Sequence, residues 1–486
     1  MKHLLLFSFL FFSTIAFTQV ADSTTVFKKP VLDSAEVDFV SSYYNQDGIH
    51  SAVSGGIGSE KLSDIASTIV VTMPLSDDEI LTIDVGISAY TSASSSNINP
   101  FSSQVTNSSS GASKSTVANA VPTYGTPWQA SSGASKSDQL YSVVANYSHS
   151  SDSRNFIWNA DFSASNEFDY TSFGFGGGVT KLFNDKNSEV SVKLNAYLDQ
   201  WRPIYPHELH EYSVGGNHYS GETVYDAAGN VTTNYLNSTS ANSTSFKVWD
   251  SSARDSYAAS FAFSQVLNKK SQFSVFFDLL FQQGMLSTPY QRIYFADKND
   301  YYVGVRGDLV SPNWYSNILN YQNSSNTGIY RLADDIERLP GTRFKIPVGI
   351  RWHYFIDEKW VLRTYYRFYK DDWAIQSHTI SAELPFKIND NFTVYPMFRY
   401  YTQGQSKFFA PFEKHLSTEQ YYTSDYDLSS FVTRQYGFGC VYTDVFSSMG
   451  IFGLGIKNIE FRFNHYSRSD GLNANIGTLS FKFVTD

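Results

Sequence analysis

The sequence predicts an all-β fold: a single closed antiparallel transmembrane β-barrel of about 16 strands, with short periplasmic turns and long extracellular loops. Apolar and polar residues alternate with a period of two through many segments of about ten residues. Short and long connections between these segments take turns along the chain. Aromatic residues make up 17% of the chain and charged residues 17%, yet its mean hydropathy is −0.28. This balance fits segments with one face toward lipid and the other toward water.

The N-terminus predicts export. Residues 1–18 have the pattern of a signal peptide: Lys2, an apolar run from Leu4 to Phe12, and a cleavage site at Ala16-Phe17-Thr18. The apolar run is too short for a spanning helix of ~20 residues. A short periplasmic segment, 19–36, is expected to precede the barrel at 37–486. Since no later run is long and apolar enough for a helix, we expect any membrane crossing to use strands.

The strands follow from the alternation. In 188–201 one face is Val190, Val192 and Leu194, and the other is Ser191, Lys193 and Asn195. Sixteen such segments begin near residues 37, 64, 79, 138, 154, 168, 188, 255, 271, 342, 359, 373, 391, 430, 455 and 475. A large water-soluble β-sandwich would show the same alternation. The connections favour the membrane barrel instead.

Every very long connection has the same parity. Turn residues join segments 2–3, 4–5, 6–7, 8–9, 10–11 and 12–13, whereas long loops follow segments 1, 3, 7, 9 and 13, at 47–63, 93–137, 202–254, 285–341 and 404–429. The long loops should therefore be extracellular, and an even strand count leaves both termini in the periplasm. Loops 47–63 and 404–429 are charged and carry the hypothesis that they fold inward and constrict the lumen. The connection 444–454 is long for a periplasmic turn.

The predicted inner face of segments 10–13 is basic. Alternation sends Phe344 and Ile346 to lipid and places six cations in the lumen: Arg343, Lys345, Arg351, Arg363, Arg367 and Arg399. Rings of arginine select anions in pores. Two interpretations are open: a wall that attracts anions, or charges that pair with one another or with the loops inside a polar lumen.

A second cluster of interest follows segment 7. It contains His207, His210 and His218 together with neighbouring glutamates. Imidazole and carboxylate ligands suit zinc or copper, which makes this a candidate metal site. The spacing differs from the His-Glu-x-x-His helix of metalloproteases, so a plain polar loop is the alternative.

Composition excludes several classes of function. The net charge of −10 argues against nucleic acid as a partner. The single cysteine, Cys440, excludes an internal disulfide. No nucleophile elbow or comparable catalytic arrangement is present, so we predict no enzyme and no cofactor.

Several stretches resemble a Bacteroidota outer-membrane β-barrel family catalogued as a domain of unknown function, number thirty-five seventy. They are 43–48, 54–62, 339–347, 365–373 and 408–412. The resemblance covers most of the mature chain and implies the barrel, but no activity, ligand or functional residue. It also links such chains to exported flavin-transferase and thioredoxin-like proteins.

These observations give two expected functions in the cell outer membrane. The first is porin-like passage of small polar solutes, with anions as candidates. The second is a non-transport scaffold or receptor that works with periplasmic redox or metal-handling partners. In both cases the expected contacts are outer-membrane lipid, lipopolysaccharide and the barrel-assembly machinery.

Overall fold

A computed structural model describes residues 30–92, 137–206, 208–209, 224–232, 249, 252–304, 329–444, 449–451 and 453–485. Antiparallel strands dominate it, and the named helices are two short 3₁₀ turns, Ala52–Ser54 and Tyr426–Leu428. No helix among the described residues has the length and apolar character that crossing a membrane requires. The histidines of the candidate metal site, His207, His210 and His218, lie outside the described residues.

Sixteen strands form the barrel, and we number them in chain order. They are β1 (Glu36–Asp47), β2 (Leu62–Pro74), β3 (Glu79–Ser92), β4 (Ser137–Ser150), β5 (Phe156–Asn166), β6 (Tyr170–Phe183), β7 (Ser188–Trp201), β8 (Ala253–Asn268), β9 (Ser271–Gly284), β10 (Thr342–Phe355), β11 (Val361–Asp371), β12 (Gln376–Glu383, continued by Phe386–Lys387), β13 (Phe392–Gln403), β14 (Phe431–Thr443), β15 (Leu454–Arg468) and β16 (Asn473–Thr485).

The sheet closes on itself. Each strand pairs antiparallel with its neighbours in the chain, and β1 pairs with both β2 and β16. Val37, for example, stands opposite Val71 on one side and Phe483 on the other. Closure satisfies the backbone groups that a sheet edge would leave unpaired in lipid. The predicted count of 16 is confirmed.

The outer face is an apolar belt. Alternate residues of the strands expose large apolar side chains, among them Ile69, Val85, Val143, Phe162, Phe175, Leu194, Val275, Phe277, Val348, Ile350, Phe398, Phe438, Phe461 and Leu479. Cross-strand partners share this face, as Phe162 and Phe175 do on β5 and β6. An outward apolar belt on a closed antiparallel sheet is the structure that spans an outer membrane.

The predicted strand starts lie within three residues of the observed ones. The largest difference is at β12, which starts at Gln376 rather than near 373. Trp373 is buried in the β11–β12 turn, where its Nε1 donates to the Thr342 carbonyl at 3.0 Å. An apolar residue there belongs to a packed turn, although alternation alone extends the strand through it.

Short paired strands also lie within the connections between the barrel strands. Arg292–Ile293 pairs with Asp335–Ile336, and Tyr301–Gly304 pairs with both Ile329–Arg331 and Tyr225–Asp226. Both sets join parts of loops that the sequence separates widely. In the β14–β15 connection, Gly450–Ile451 pairs with the start of β15, so part of this long periplasmic turn is a small hairpin.

Candidate functional site: the loop cap and the lumen wall

The long extracellular loops pack into one body, which we call the loop cap. It comprises the described residues of loops 48–61, 202–252, 285–341 and 404–430. Several of its side chains are fully buried. Connecting loops usually run over the surface and bury few side chains.

Two of these loops come from opposite sides of the barrel. Loop 48–61 joins β1 to β2 and loop 285–341 joins β9 to β10, eight strands away in a ring of 16. Strands ~4.8 Å apart and tilted by ~40° give a ring roughly 30 Å across. Across this ring Arg292 Nη1 donates to the Val53 carbonyl at 3.1 Å. The two loops therefore meet over the mouth of the barrel.

A buried ion pair ties a third loop to this contact. Arg292 Nε donates to Glu208 Oε1 at 2.6 Å, and Nη2 donates to Oε2 at 3.1 Å. The two side chains are 6% and 4% exposed. Because an unpaired charge in such surroundings is strongly unfavourable, each residue requires the other. Glu208 lies in the loop after β7, so Arg292, through Glu208 and Val53, links three loops.

The cap has its own hydrophobic core. Buried residues from two loops form this core: Tyr205, Leu209, Tyr294, Ala333 and Ile336. Trp249 and Phe412 pack against it. Arg331 is 3% exposed, lies over the Tyr294 ring and forms ion pairs with Asp300, at 2.6 Å, and Glu413. This is the packing of a small folded domain rather than of independent loops.

Loop 404–430 completes the cap. Phe295 packs edge-on against Tyr422, with ring centroids 5.1 Å apart. Buried His415 donates from Nε2 to the Thr423 carbonyl at 2.9 Å, and its Nδ1 lies 2.6 Å from Glu419 Oε2. Close to this loop, Gly56 adopts a φ of +89°, and a Cβ there would lie 2.6 Å from the Ser424 carbonyl. Only glycine permits this approach at no cost.

Buried carboxyl groups cross-link the loops. Glu337 accepts from the Thr288 amide at 2.7 Å and from Thr423 Oγ1 at 2.5 Å, and burial raises its pKa to about 8. Asp334 accepts from the Phe295 amide at 2.8 Å, and burial raises its pKa to about 7. Burial likewise raises the pKa of Asp425 to about 7. Protonation of the cap therefore changes in the neutral range.

The predicted cations of β10–β13 fall into two groups. Four stand close together in the register: Arg351 faces Tyr365, which Arg363 and Arg367 flank on the same strand, and Ser381 links Tyr365 to Arg399. We call Arg351, Arg363, Arg367 and Arg399 the arginine wall. Arg363 is 47% exposed and lies 3.6 Å from Glu383, and Arg351 lies over the rings of Phe276 and Tyr365.

Arg363 of the arginine wall is far more exposed than the arginines of the loop cap. Residues of β10 and β11 with the opposite parity, Val348 and Ile350 among them, lie on the lipid-facing belt. By parity the four arginines lie on the face opposite this belt, and the 47% exposure of Arg363 there leaves space for water. Cap arginines at 3% and 6% have no such space.

The other two predicted cations lie nearer the cap. Arg343 Nη2 lies 2.5 Å from Asp371 Oδ2, and its guanidinium is over the Trp373 ring at 4.3 Å. Lys345 stands opposite Asp371 in the register. These contacts hold the ends of β10 and β11 together beneath the loops.

Sequence reasoning missed the Arg292–Glu208 pair and one carboxylate cluster. The oxygens of Asp138, Glu167 and Asp169 lie within 4.8 Å of one another, and Tyr90 donates to Glu167 at 2.5 Å. Burial raises the pKa of Asp169 to about 6. Residues so far apart in the chain carry no local pattern that would have predicted either contact.

Comparison with known proteins gives a family and a set of barrels. A family model described as "Protein of unknown function (DUF3570)" matches residues 8–481. No curated protein matches the chain. Similar solved structures include a bacterial polysaccharide outer membrane secretin, at 8% identity and TM-score 0.40, covering 93% of this chain and 99% of that one.

Two further similar structures are described as channels or porins. A BenF-like porin from Pseudomonas fluorescens Pf-5 has 7% identity and TM-score 0.37, covering 93% of this chain and 98% of that one. The TodX monoaromatic hydrocarbon channel, as its deltaS2 mutant, has 9% identity and TM-score 0.35, covering 93% and 90%.

Proposed function

This outer-membrane β-barrel belongs to the DUF3570 family of proteins of unknown function, and we propose that it passes small polar solutes, preferentially anions, through a lumen gated by the loop cap. The observation that carries the proposal is the arginine wall: four arginines close together on a water-accessible inner face.

The charges around the wall support a preference for anions. Among the described residues the arginine wall forms an ion pair between Arg363 and Glu383, and Glu383 also lies 4.0 Å from Arg462. One carboxylate shared between arginines leaves a net positive surface. Elsewhere in the lumen the balance differs, since Lys193 pairs with Asp161 at 2.9 Å. Clustered cations raise the local concentration of anions in a narrow aqueous space.

The cap supports gating rather than free passage. Loops from opposite sides of the barrel meet over its mouth through Arg292 and Val53. A solute that enters from outside must therefore wait for this contact to open. Loops with buried cores and buried ion pairs open as cooperative units.

Ion selectivity in planar bilayers tests the preference. The full-length protein should show a reversal potential of anion sign in a potassium chloride gradient. The R351Q/R363Q/R399Q variant should lose most of this selectivity, by roughly tenfold in the permeability ratio, because three fixed charges have been removed. The matched control, K193Q/D161N, removes a neutralised pair and should leave selectivity unchanged. Cation selectivity in the unmodified protein would contradict the proposal.

A second function is favoured by the cap's packed core. Loops that form a small domain over the extracellular mouth also suit a receptor that binds a ligand from outside the cell. Its periplasmic redox or metal-handling partners would contact the short turns at the other end of the barrel. Bilayer recordings distinguish the two. If neither the unmodified protein nor a variant with a loosened cap conducts, and periplasmic proteins co-purify with the barrel, the receptor function is the better explanation.

A further inference from the structure

The outer face of the barrel carries a cluster of four basic residues within a run of five adjacent strands, β11 to β15. Lys370 on β11, His378 on β12, Arg434 on β14 and His465 on β15 are all exposed. We call these four residues the basic patch. β13, between them, contributes Thr402, which stands opposite His378.

Strand parity places the patch on the lipid-facing side. Each member lies two or four residues from an exposed apolar or tyrosine side chain on its own strand, and such residues face the same side of a sheet. These neighbours are Tyr366, Ile380, Tyr436 and Phe461, respectively.

The members share one level along the barrel. Lys370 lies nine residues beyond Val361, His378 nine before Lys387, Arg434 nine before Thr443 and His465 eleven beyond Leu454, which are the periplasmic ends of their strands. At a rise of ~3.3 Å per residue and a tilt of ~40°, these counts correspond to roughly 23–28 Å. The apolar belt of such barrels is ~25 Å tall. The patch is therefore level with the headgroups of the outer leaflet.

This arrangement is confined to one side of the barrel. At the same distance from the periplasmic end, the outward positions of the other twelve described strands hold no lysine, arginine or histidine. They hold Asn45, Ile65, Ala89, Tyr141, Asn166, Phe173, Leu198, Tyr257, Phe281, Phe344, Thr402 and Asn475. A general attraction to an anionic surface would distribute cations around the whole rim. A one-sided patch indicates a localised anion.

The local contacts leave the patch's positive charge largely unpaired. His378 Nδ1 lies 2.9 Å from Tyr366 Oη, and His465 Nδ1 lies 2.9 Å from Asn475 Oδ1, which orients both rings. Among the described residues no ion pair involves Lys370 or Arg434. Asp372 follows Lys370 by two residues, and its Oδ1 accepts from the Phe344 amide at 3.1 Å.

We propose that the basic patch binds the phosphate groups of a phosphorylated glycolipid of the outer leaflet, the class to which lipopolysaccharide belongs. Lys370 and Arg434 provide two permanent charges about three strands apart. His378 and His465 add two imidazole rings whose nitrogens can donate hydrogen bonds to phosphate oxygens. The acyl chains of the same lipid lie against the apolar belt below, on Ile380 and Phe438. Headgroup and chains are thus recognised together.

Native mass spectrometry of the full-length protein in detergent tests the proposal. The probes are diphosphoryl lipid A, lipid A without phosphate, and inorganic phosphate. The K370Q/R434Q variant should bind diphosphoryl lipid A roughly thirtyfold more weakly, about fivefold for each cation. The matched control is K181Q, which removes an exposed cation two residues from the periplasmic end of β6. It should bind as the unmodified protein does.

The other probes identify the ligand. Lipid A without phosphate should bind weakly and equally to all three proteins. Equal weakening by K181Q, or tight binding of the dephosphorylated lipid, would overturn the proposal. Displacement of lipid A by millimolar inorganic phosphate would assign the patch to free phosphate and would also overturn it. All substituted side chains are exposed, and migration of the unheated barrel in SDS gels checks that each variant is folded.

Discussion

At the scale of single residues, the Arg292–Glu208 pair decides whether the cap holds together. Replacing Arg292 with methionine leaves the Glu208 carboxylate buried without its partner, at a cost of ~3–5 kcal/mol to the local stability of the cap. Hydrogen exchange of the amides in 285–304 should accelerate accordingly. In bilayers the same variant should open more often than the unmodified protein.

A double substitution provides the control for R292M. In R292M/E208L no charge remains buried, and apolar replacements of buried ion pairs are often nearly neutral. Exchange should therefore return most of the way toward that of the unmodified protein. A double variant as unstable as R292M would show that the contact with the Val53 carbonyl, rather than the ion pair, stabilises the cap.

At the scale of elements, loop 48–61 holds its place against loop 404–430 through a glycine. G56A would require alanine at a φ of +89° and would press its Cβ against the Ser424 carbonyl. The left-handed conformation alone costs ~1–2 kcal/mol, and the contact adds to this. We expect faster hydrogen exchange in 404–430 and earlier proteolysis of both loops.

Gly453 is a matched position for this experiment. Its φ is +82°, and nothing lies within 4 Å of a Cβ built there. G453A therefore introduces the backbone strain without the contact, on the periplasmic side. Exchange in 404–430 should not respond to it. If both variants loosened the cap equally, the close approach of the two extracellular loops would not be the cause.

At the scale of the whole molecule, closure of the cap should depend on pH. Burial raises the pKa of Glu337 to about 8 and those of Asp334 and Asp425 to about 7. Besides burial, Asp300 raises and Arg331 lowers the pKa of Asp334. Asp427 raises and Arg468 lowers the pKa of Asp425. A carboxyl group whose pKa is higher in the closed cap than in the open cap holds more protons, on average, in the closed cap. Closure is therefore strongest near pH 4.5 and weakens as the pH rises toward about 8.

Conductance and proteolysis should both show the cap opening as the pH rises. Channel openings and cleavage of the cap loops should both increase between pH 5 and pH 8. In E337Q the increase should be smaller, because the group with the highest pKa no longer titrates. A cap that became more resistant to protease as the pH rose would contradict the assignment of these carboxyls to closure.

Much of the barrel could be predicted from the sequence alone. Side-chain alternation is a local property that lipid on one face and water on the other impose on every spanning strand. It therefore placed all 16 strands, including weak ones such as β1, where Val37 and Phe39 alternate with Asp38. The same alternation predicts that the four arginines of the wall share one face, since parity fixes the face once the strands are known.

The cap, by contrast, was decided by tertiary structure. Arg292 contacts Glu208, 84 residues away, and Val53, 239 residues away. No period or motif connects such residues, because loops satisfy their polar groups through whatever the folded barrel brings within reach. Both the sequence and the tertiary structure were needed to identify the basic patch. Parity alone sends Lys370 and Arg434 outward, but only the closed sheet, with its tilt and strand order, brings them to one height on one side.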